Sequence, residues 1–579
     1  MTDSARFNRW LPALPITTWA RHYTGQQFSS DLTAALIVTL MLIPQSLAYA
    51  ALAGLPAQAG LYASVAPLIA YAVLGSSRVL AVGPVAVVSM MTAAAVSNQL
   101  AVGGQSAWSI AITLAFLSGL MLLLMGLLRL GFVANFLSHP VISGFITASA
   151  LLIVAGQLKT LLGVSAQGQH FFEILFSIAR DFGRIHWLTS LLSLVCICSL
   201  VWFRTGLAPR LTSSGWTPRQ AATAARVAPV VLLIVATALT WFFQWQQQGL
   251  AVVGVVPAGL APFTWPVFDM ALWQALALPA LLISVVGFVE SVSVAQTLAA
   301  KNRERIEPDQ ELLALGAGNL AASLSAGFPV TGGFARSVVN FDAGSKTQAA
   351  GIFTAFGIVL ASLFLTPALY YLPKASLAAT IVVAVSGLID VGVLKRTWNY
   401  SKPDFLAALA TLLLTLLAGV EVGLTVGLLV SLALFLFRTS RPHIATVGLV
   451  PGTQSFRNVL RHKVMTSSQV LGLRVDESLY FANSRALEDY INDAVASHPL
   501  LEHVVLQCSA INDIDASALE SLEAIEKRLR DSNIKFHLSE VKGPVMDRLK
   551  KTGFLEQLSG EVFMTHYQAV ATLSPESLQ

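Results

Sequence analysis

Between about residues 32 and 437 the chain is a succession of apolar runs, many of them near the ~20 residues that a helix needs to cross a hydrocarbon layer. No other feature limits the fold as strongly. Lipid offers no partners to backbone N–H and C=O groups, so such runs must be helices. The first 440 residues carry only 36 charged side chains, which fits that solvent. The last 139 residues hold 31, an ordinary density for a domain in water. Two solvents therefore act on one chain, and they divide it into an N-terminal segment (1–30), a membrane domain (31–440) and an aqueous C-terminal domain (441–579). A plain soluble enzyme, a disordered tail, a collagen and a disulfide scaffold are excluded.

The runs fall at 32–52, 58–75, 81–98, 107–128, 138–158, 187–203 and 227–246, then at 273–299, 309–326, 331–341, 347–370, 375–391, 404–419 and 421–437. That predicts an α-helical polytopic membrane protein with 14 transmembrane segments. The stretch from Phe171 to Phe182 is amphipathic and is expected to lie at the membrane interface. With both termini cytoplasmic, 17 basic residues fall on the inner side and four (Lys159, Arg180, Arg184, Lys374) on the outer side, as the positive-inside rule requires. No signal peptide is expected in Met1–Asp31, because no short apolar core with a small-residue cleavage site is present. The three cysteines form no metal-binding spacing, so neither metal nor cofactor is expected. The absence of a G-x-x-x-x-G-K-[ST] sequence argues against ATP-driven pumping.

The two sets of seven runs match. In the first run Pro44-Gln45-Ser46-Leu47-Ala48-Tyr49-Ala50 follows an apolar stretch, and in the eighth Glu290-Ser291-Val292-Ser293 does the same. Gln45 and Glu290 occupy equivalent places. Some forty residues after each comes a Gly/Pro break leading into a small-residue segment: Gly83-Pro84-Val85-Ala86 in one copy, Gly332-Gly333-Phe334-Ala335-Arg336-Ser337 in the other. An odd number of spans separates the copies, so the plan is a 7+7 inverted repeat of the kind secondary transporters use. A helix that begins inside the bilayer aims unpaired N–H groups and a positive dipole end at whatever lies there. Two such ends would hold an anion, with Arg336 adding a full charge. Pro84 suits the first turn of the third helix, where no N–H is needed.

Candidate site residues follow from that picture. The anion would meet Gly83, Pro84, Val85 and Ala86 at one tip and Gly333, Phe334, Ala335, Arg336 and Ser337 at the other. Gln45, Ser46 and Tyr49 would line the pocket from the first helix. Glu290, ionisable and in mid-helix, is the coupling residue, taking up a proton or balancing Arg336.

These motifs, with Gly327-Phe328-Pro329-Val330-Thr331 ahead of the second break, resemble the SulP anion permeases, relatives of the solute carrier 26 transporters. The resemblance covers nearly the whole chain. It implies a fold of the uracil-permease type, with a core (spans 1–4 and 8–11) moving against a gate (spans 5–7 and 12–14), a homodimer, and a C-terminal α/β STAS domain in the cytoplasm. It implies secondary active transport by alternating access in the plasma membrane, here a bacterial inner membrane. The expected substrate is sulfate carried with protons. Sodium- or proton-coupled bicarbonate or dicarboxylate transport, an anion channel or exchanger on the same fold, and a receptor whose output is the tail are the alternatives. Arg336 matches the family's anion-site cation and Glu290 its acidic position. Ala335 departs from the serine many relatives have there, which leaves the backbone N–H to act. Val286, one turn before Glu290, supplies no oxygen ligand, so protons are favoured over sodium.

In the tail, strands are expected at Val470–Val475, Val504–Cys508 and Lys535–Val541, and helices at Ser484–Ala496, Ser517–Asp531 and Pro544–Thr552. Ile514-Asp515-Ala516-Ser517 resembles the loop-to-helix start of STAS domains that carry a phosphorylatable serine. Ser517 is read as a helix cap or as a regulatory site with an unknown cytoplasmic partner. No basic patch for nucleic acid is present.

Overall fold

A computed structural model describes residues 14–578 except 102, 136–137 and 165–169, so Arg6 and Arg9 of the charge count lie outside the described residues. Helices stand at all fourteen expected places: α1 (Gly25–Leu52), α2 (Ala66–Leu74, preceded by the turn helix Ala57–Tyr62), α3 (Ala86–Leu100), α4 (Ala107–Leu127), α5 (His139–Leu162), α6 (Trp187–Trp202) and α7 (Pro218–Phe242), then α8 (Met270–Asn302), α9 (Pro308–Leu324), α10 (Phe334–Asp342), α11 (Ala349–Phe364), α12 (Lys374–Ser386), α13 (Lys402–Ala418) and α14 (Val420–Ser440). Among the described residues, eight helices or helix pairs are long and apolar enough to cross a membrane by themselves. The others, α10 above all, are short. α1 starts seven residues before the apolar run because Thr24 and Gln27 form a reciprocal capping box there. The interface segment is helical from Phe171 to Arg180.

Packing divides these helices into two sets. α1–α4 pack with α8–α11, the heaviest contact being α4 against α9, while α5 and α6 pack with α12 and α13. The α4–α9 contact is close because glycines face each other. A Cβ on Gly119 would lie 2.9 Å from the Gly316 carbonyl oxygen, and one on Gly316 would lie 3.0 Å from that of Gly119. Small residues let helices approach in lipid, where no hydrophobic force drives them together. Ser118 and Ser284 add a hydroxyl pair at 2.9 Å between α4 and α8.

Two breaks interrupt the first set. Residues Val82–Gly83 (β1) and Thr331–Gly332 (β2) are extended and pair antiparallel, Val82 opposite Gly332 and Gly83 opposite Thr331. The third span therefore begins as a helix only at Ala86, five residues later than its apolar run, and Pro84 lies outside the helix rather than in its first turn.

A second compact unit begins at Leu432. Its sheet runs β4 (Phe456–Asn458), β3 (Ile444–Leu449), β5 (Val470–Val475), β6 (His503–Gln507), β7 (Lys535–Ser539), β8 (Val562–Phe563), with the last four strands parallel and β3 and β4 antiparallel at one edge. α15 (Ser484–Ser497), α16 (Ala516–Asp531) and α17 (Gly543–Leu549) bury Leu487, Ile491, Leu522, Ile525 and Leu549 against one face. α18 (His566–Leu573) covers Val470 and Val505 on the other. The edge hairpin, β8 and α18 escaped the sequence reading. β4 and β8 are two or three residues long, too short to show a period.

Candidate functional site

The β1–β2 ladder puts the starts of α3 and α10 side by side, and polar side chains lock it. Gly333 N–H donates to the Ala81 carbonyl at 3.1 Å. The Ser337 hydroxyl accepts from Ala81 N–H at 2.9 Å and donates to the Gly333 carbonyl at 2.7 Å. From α8, the Ser291 hydroxyl accepts from Gly332 N–H at 2.9 Å and lies 2.6 Å from the Thr331 hydroxyl. From α9, the Asn319 amide holds both backbone groups of Val330, each at 2.9 Å. The extended pieces thus satisfy their own backbone inside the bundle, the only place where irregular backbone is tolerated at membrane depth.

The helix starts are left open. Neither α3, after Val85, nor α10, after Gly333, has a side-chain cap. Their first-turn N–H groups have no intrahelical acceptor either. Two uncapped, electropositive tips therefore meet at one place.

Arg336, third residue of α10, is 3% exposed. Its Nη2 donates to the carbonyls of Gly83 at 2.9 Å and Pro84 at 2.5 Å. Its Nη1 is buried with no partner. Both glycines exist for this guanidinium. A Cβ on Gly83 would stand 2.6 Å from Nη1, and one on Gly333 2.3 Å from Nε. Arg336 is thus a clasp between the two breaks as well as a charge at the site.

Glu290 lies deep among protein atoms yet keeps part of its surface accessible, as a group lining an internal opening does. Arg336 is within electrostatic reach, but no hydrogen bond or ion pair to the Glu290 carboxylate occurs among the described residues. Tyr49 of α1 is half-buried and within reach of both charges. Gln45 is half-buried on the same helix. Ser46 is fully buried, its hydroxyl 2.7 Å from that of Ser64. Val85 and Ala86 are buried, whereas Phe334 is 48% exposed and Ala335 is exposed beside it. Sequence reasoning missed the clamps Ser291, Thr331 and Asn319. It also missed two fully buried carboxylates, Asp31, which accepts from Lys346 N–H and from Thr347, and Glu311, which accepts from Tyr71, Ser76 and Ser77. Polar residues inside apolar runs were the signal available. No group of three or more His, Cys, Asp or Glu suited to a metal occurs among the described residues.

Residues 28–411, most of the chain, match the model of the sulfate permease family. The chain belongs to that family. Residues 463–569 match the STAS domain. The chloroplastic sulfate transporter 4.1 of Arabidopsis thaliana is 35% identical over 570 residues, covering 96% of this chain and 81% of its own. A probable sulfate transporter of Mycobacterium tuberculosis is 32% identical over 571 residues, covering 97% and 99%. Among solved structures, the murine solute carrier 26 family member A9 anion transporter, in its inward-facing state, superimposes with a TM-score of 0.86 at 22% identity, covering 99% of this chain and 95% of that one. The transmembrane domain of a cyanobacterial bicarbonate transporter gives 0.60 at 21% identity over 69% of this chain and 98% of its own. The fold is therefore that of the solute carrier 26 relatives, a helical membrane domain followed by an α/β STAS domain.

In the STAS domain one expectation is corrected. The N-cap of α16 is Asp515, whose carboxylate accepts from Ala518 N–H at 2.8 Å. Ser517 is not the cap. It is exposed, inside the first turn. Asp515 outcompetes it because a cap must precede the helix, with extended backbone, and Asp515 has φ −84° and ψ 175°.

Proposed function

We propose that this sulfate permease family member is a secondary active transporter that takes up sulfate with protons by alternating access, the anion sitting between the tips of α3 and α10. One observation carries the reading: two uncapped helix starts, joined by the β1–β2 ladder, converge beside a buried arginine. The names of the relatives support sulfate as the anion.

Proton coupling follows from charge. A dianion arriving beside ionised Glu290 is repelled, and Arg336 alone cannot balance both. A proton on Glu290 removes the repulsion, so anion and proton enter together. The charge bias of the loops supports cytoplasmic termini in a plasma-membrane protein. The two packing sets are the core and gate that move past each other, and the working unit is a homodimer. The test is uptake of labelled sulfate into proteoliposomes with and without an inward pH gradient. Accumulation above the outside concentration, driven by the gradient, is expected. Uptake that only equilibrates refutes active transport, and accumulation that ignores pH refutes proton coupling.

A further inference from the structure

Between Leu74, the last residue of α2, and Ala86, the first of α3, the chain forms no helix. Its backbone must find partners elsewhere, and the second copy of the repeat supplies them along its length. Gln348 Nε2 donates to the Gly75 carbonyl and Asn340 Nδ2 to the Val79 carbonyl, each at 3.0 Å. Ser337 accepts from Ala81 N–H, and Arg336 donates to Gly83 and Pro84. The carboxylate in this line is Glu311 of α9, which is 0% exposed and has no part in the mechanism above. Its Oε1 accepts from Ser76 N–H at 2.9 Å, Ser77 N–H at 3.1 Å and the Ser76 hydroxyl at 2.6 Å, and its Oε2 accepts from the Tyr71 hydroxyl at 2.8 Å. All four groups donate, the set that suits a carboxylate, and bonds to a charged acceptor are the stronger kind. The Ser77 hydroxyl accepts in turn from Leu80 N–H at 3.2 Å. A chain of bonds therefore runs from Glu311 to the residues just ahead of β1.

We propose that Glu311 is a positioning residue for the anion site: it fixes the approach to β1 and, through β1, the place of the α3 tip. That this tip meets the anion rests on the proposed function; the hold on β1 does not. The same fold contains a carboxylate with matching chemistry. Asp31 of α1 is also 0% exposed. It accepts from two consecutive backbone N–H groups, Lys346 at 2.6 Å and Thr347 at 3.1 Å, from the Thr347 hydroxyl at 2.6 Å and from the Tyr23 hydroxyl at 3.2 Å. The donor set is that of Glu311, but Lys346 and Thr347 lie between α10 and α11, past the end of α10 that is opposite its tip. Removing either carboxylate costs the fold a buried cluster of bonds, whereas removing Glu311 alone loosens a segment that leads to a tip.

The test compares Glu311→Gln, Glu311→Ala and Asp31→Asn in the full-length protein in detergent. Glutamine keeps the shape and one acceptor oxygen but loses the charge and turns an NH2 group toward a donor; alanine removes every acceptor. Sulfate is titrated by calorimetry well below the melting temperature of each variant, and hydrogen exchange without sulfate gives the protection factors of the Val82–Ser89 amides. The Kd for sulfate is expected to rise about tenfold in Glu311→Gln, the worth of roughly one charge-assisted bond, and further in Glu311→Ala. Protection over Val82–Ser89 falls in both. Asp31→Asn, although it lowers the melting temperature, keeps that protection and a Kd within about threefold of the unaltered protein. If Glu311→Ala does not fold, Glu311→Gln decides. An unchanged Kd in folded Glu311→Gln, or an equal rise in Asp31→Asn, overturns the proposal, because the carboxylate then serves stability alone. An unaltered protein that binds no sulfate refutes the proposed function instead. The exchange comparison then decides by itself: protection lost only in the Glu311 variants upholds the hold on β1, and protection alike in all of them overturns it.

Discussion

Gly333→Ala isolates the geometry of the site from its charge. The backbone at Gly333 has φ −89°, which alanine adopts freely, so the change brings no conformational strain. What it brings is a methyl carbon 2.3 Å from Arg336 Nε, inside any real contact distance. The guanidinium must move, and the bonds from Nη2 to the Gly83 and Pro84 carbonyls are lost with it. Hydrogen bonds to charged groups are worth about 1.5–3 kcal/mol each, so about 3–6 kcal/mol of site organisation is at stake, or a fall of about 100-fold or more in uptake. The assay is the initial rate of labelled sulfate uptake into proteoliposomes, with a symmetric gel-filtration peak as the check on folding. Gly25→Ala, where nothing lies within 4 Å of the new carbon, is the matched control and keeps full uptake. A folded Gly333→Ala protein with uptake within about threefold of the unaltered one refutes the claim that this packing sets the site.

Other outcomes follow from the same structure. Glu290→Gln removes the proton acceptor but keeps the shape, so uptake should lose its dependence on a pH gradient; a gradient dependence equal to that of the unaltered protein excludes Glu290 as the coupling group. In the STAS domain, burial lowers His566 to about 4. Below pH ~6.5 the unfolded chain binds a proton that the folded one refuses, so the domain loses about 3 kcal/mol between pH ~6.5 and ~4 and none above that range. The protection factors of the Val470–Val475 amides in the intact protein, taken against the intrinsic exchange rate at each pH, should therefore fall on acidification, and less so in His566→Gln. Asp515→Ala removes the cap of α16 and should cost about 0.5–2 kcal/mol, read as faster exchange in that helix, whereas Ser517→Ala should leave exchange there unchanged.

The helices were legible because lipid permits so few solutions: a run of apolar residues has one structure available, and fourteen runs became fourteen helices. The breaks were legible as Gly/Pro positions in two copies. Their pairing was not. Whether Val82 faces Gly332 depends on contacts between segments some 250 residues apart, and nothing local in Gly83-Pro84-Val85 encodes a partner strand. Cap positions show the same limit from the other side. Asp515 and Ser517 are both good capping residues, and only the backbone angle at Asp515 decides between them. Clamps such as Ser291 were visible as hydroxyls in an apolar run, but a buried serine has the same appearance whether it bonds its own helix or the tip of another.

Arg336 shows why a charge in lipid needs more than an opposite charge. A bare guanidinium inside the bundle would be expensive, and an anion that comes and goes cannot be its permanent partner. The carbonyls of Gly83 and Pro84 are freed from helical bonding by the first break, and they accept from Arg336 Nη2. The break that leaves one helix tip uncapped thus also stabilises the cation on the other, so neither half of the repeat builds this arrangement alone. Lysine could not replace that arrangement, because its point charge lacks the planar fork that spans two carbonyls while leaving Nη1 free.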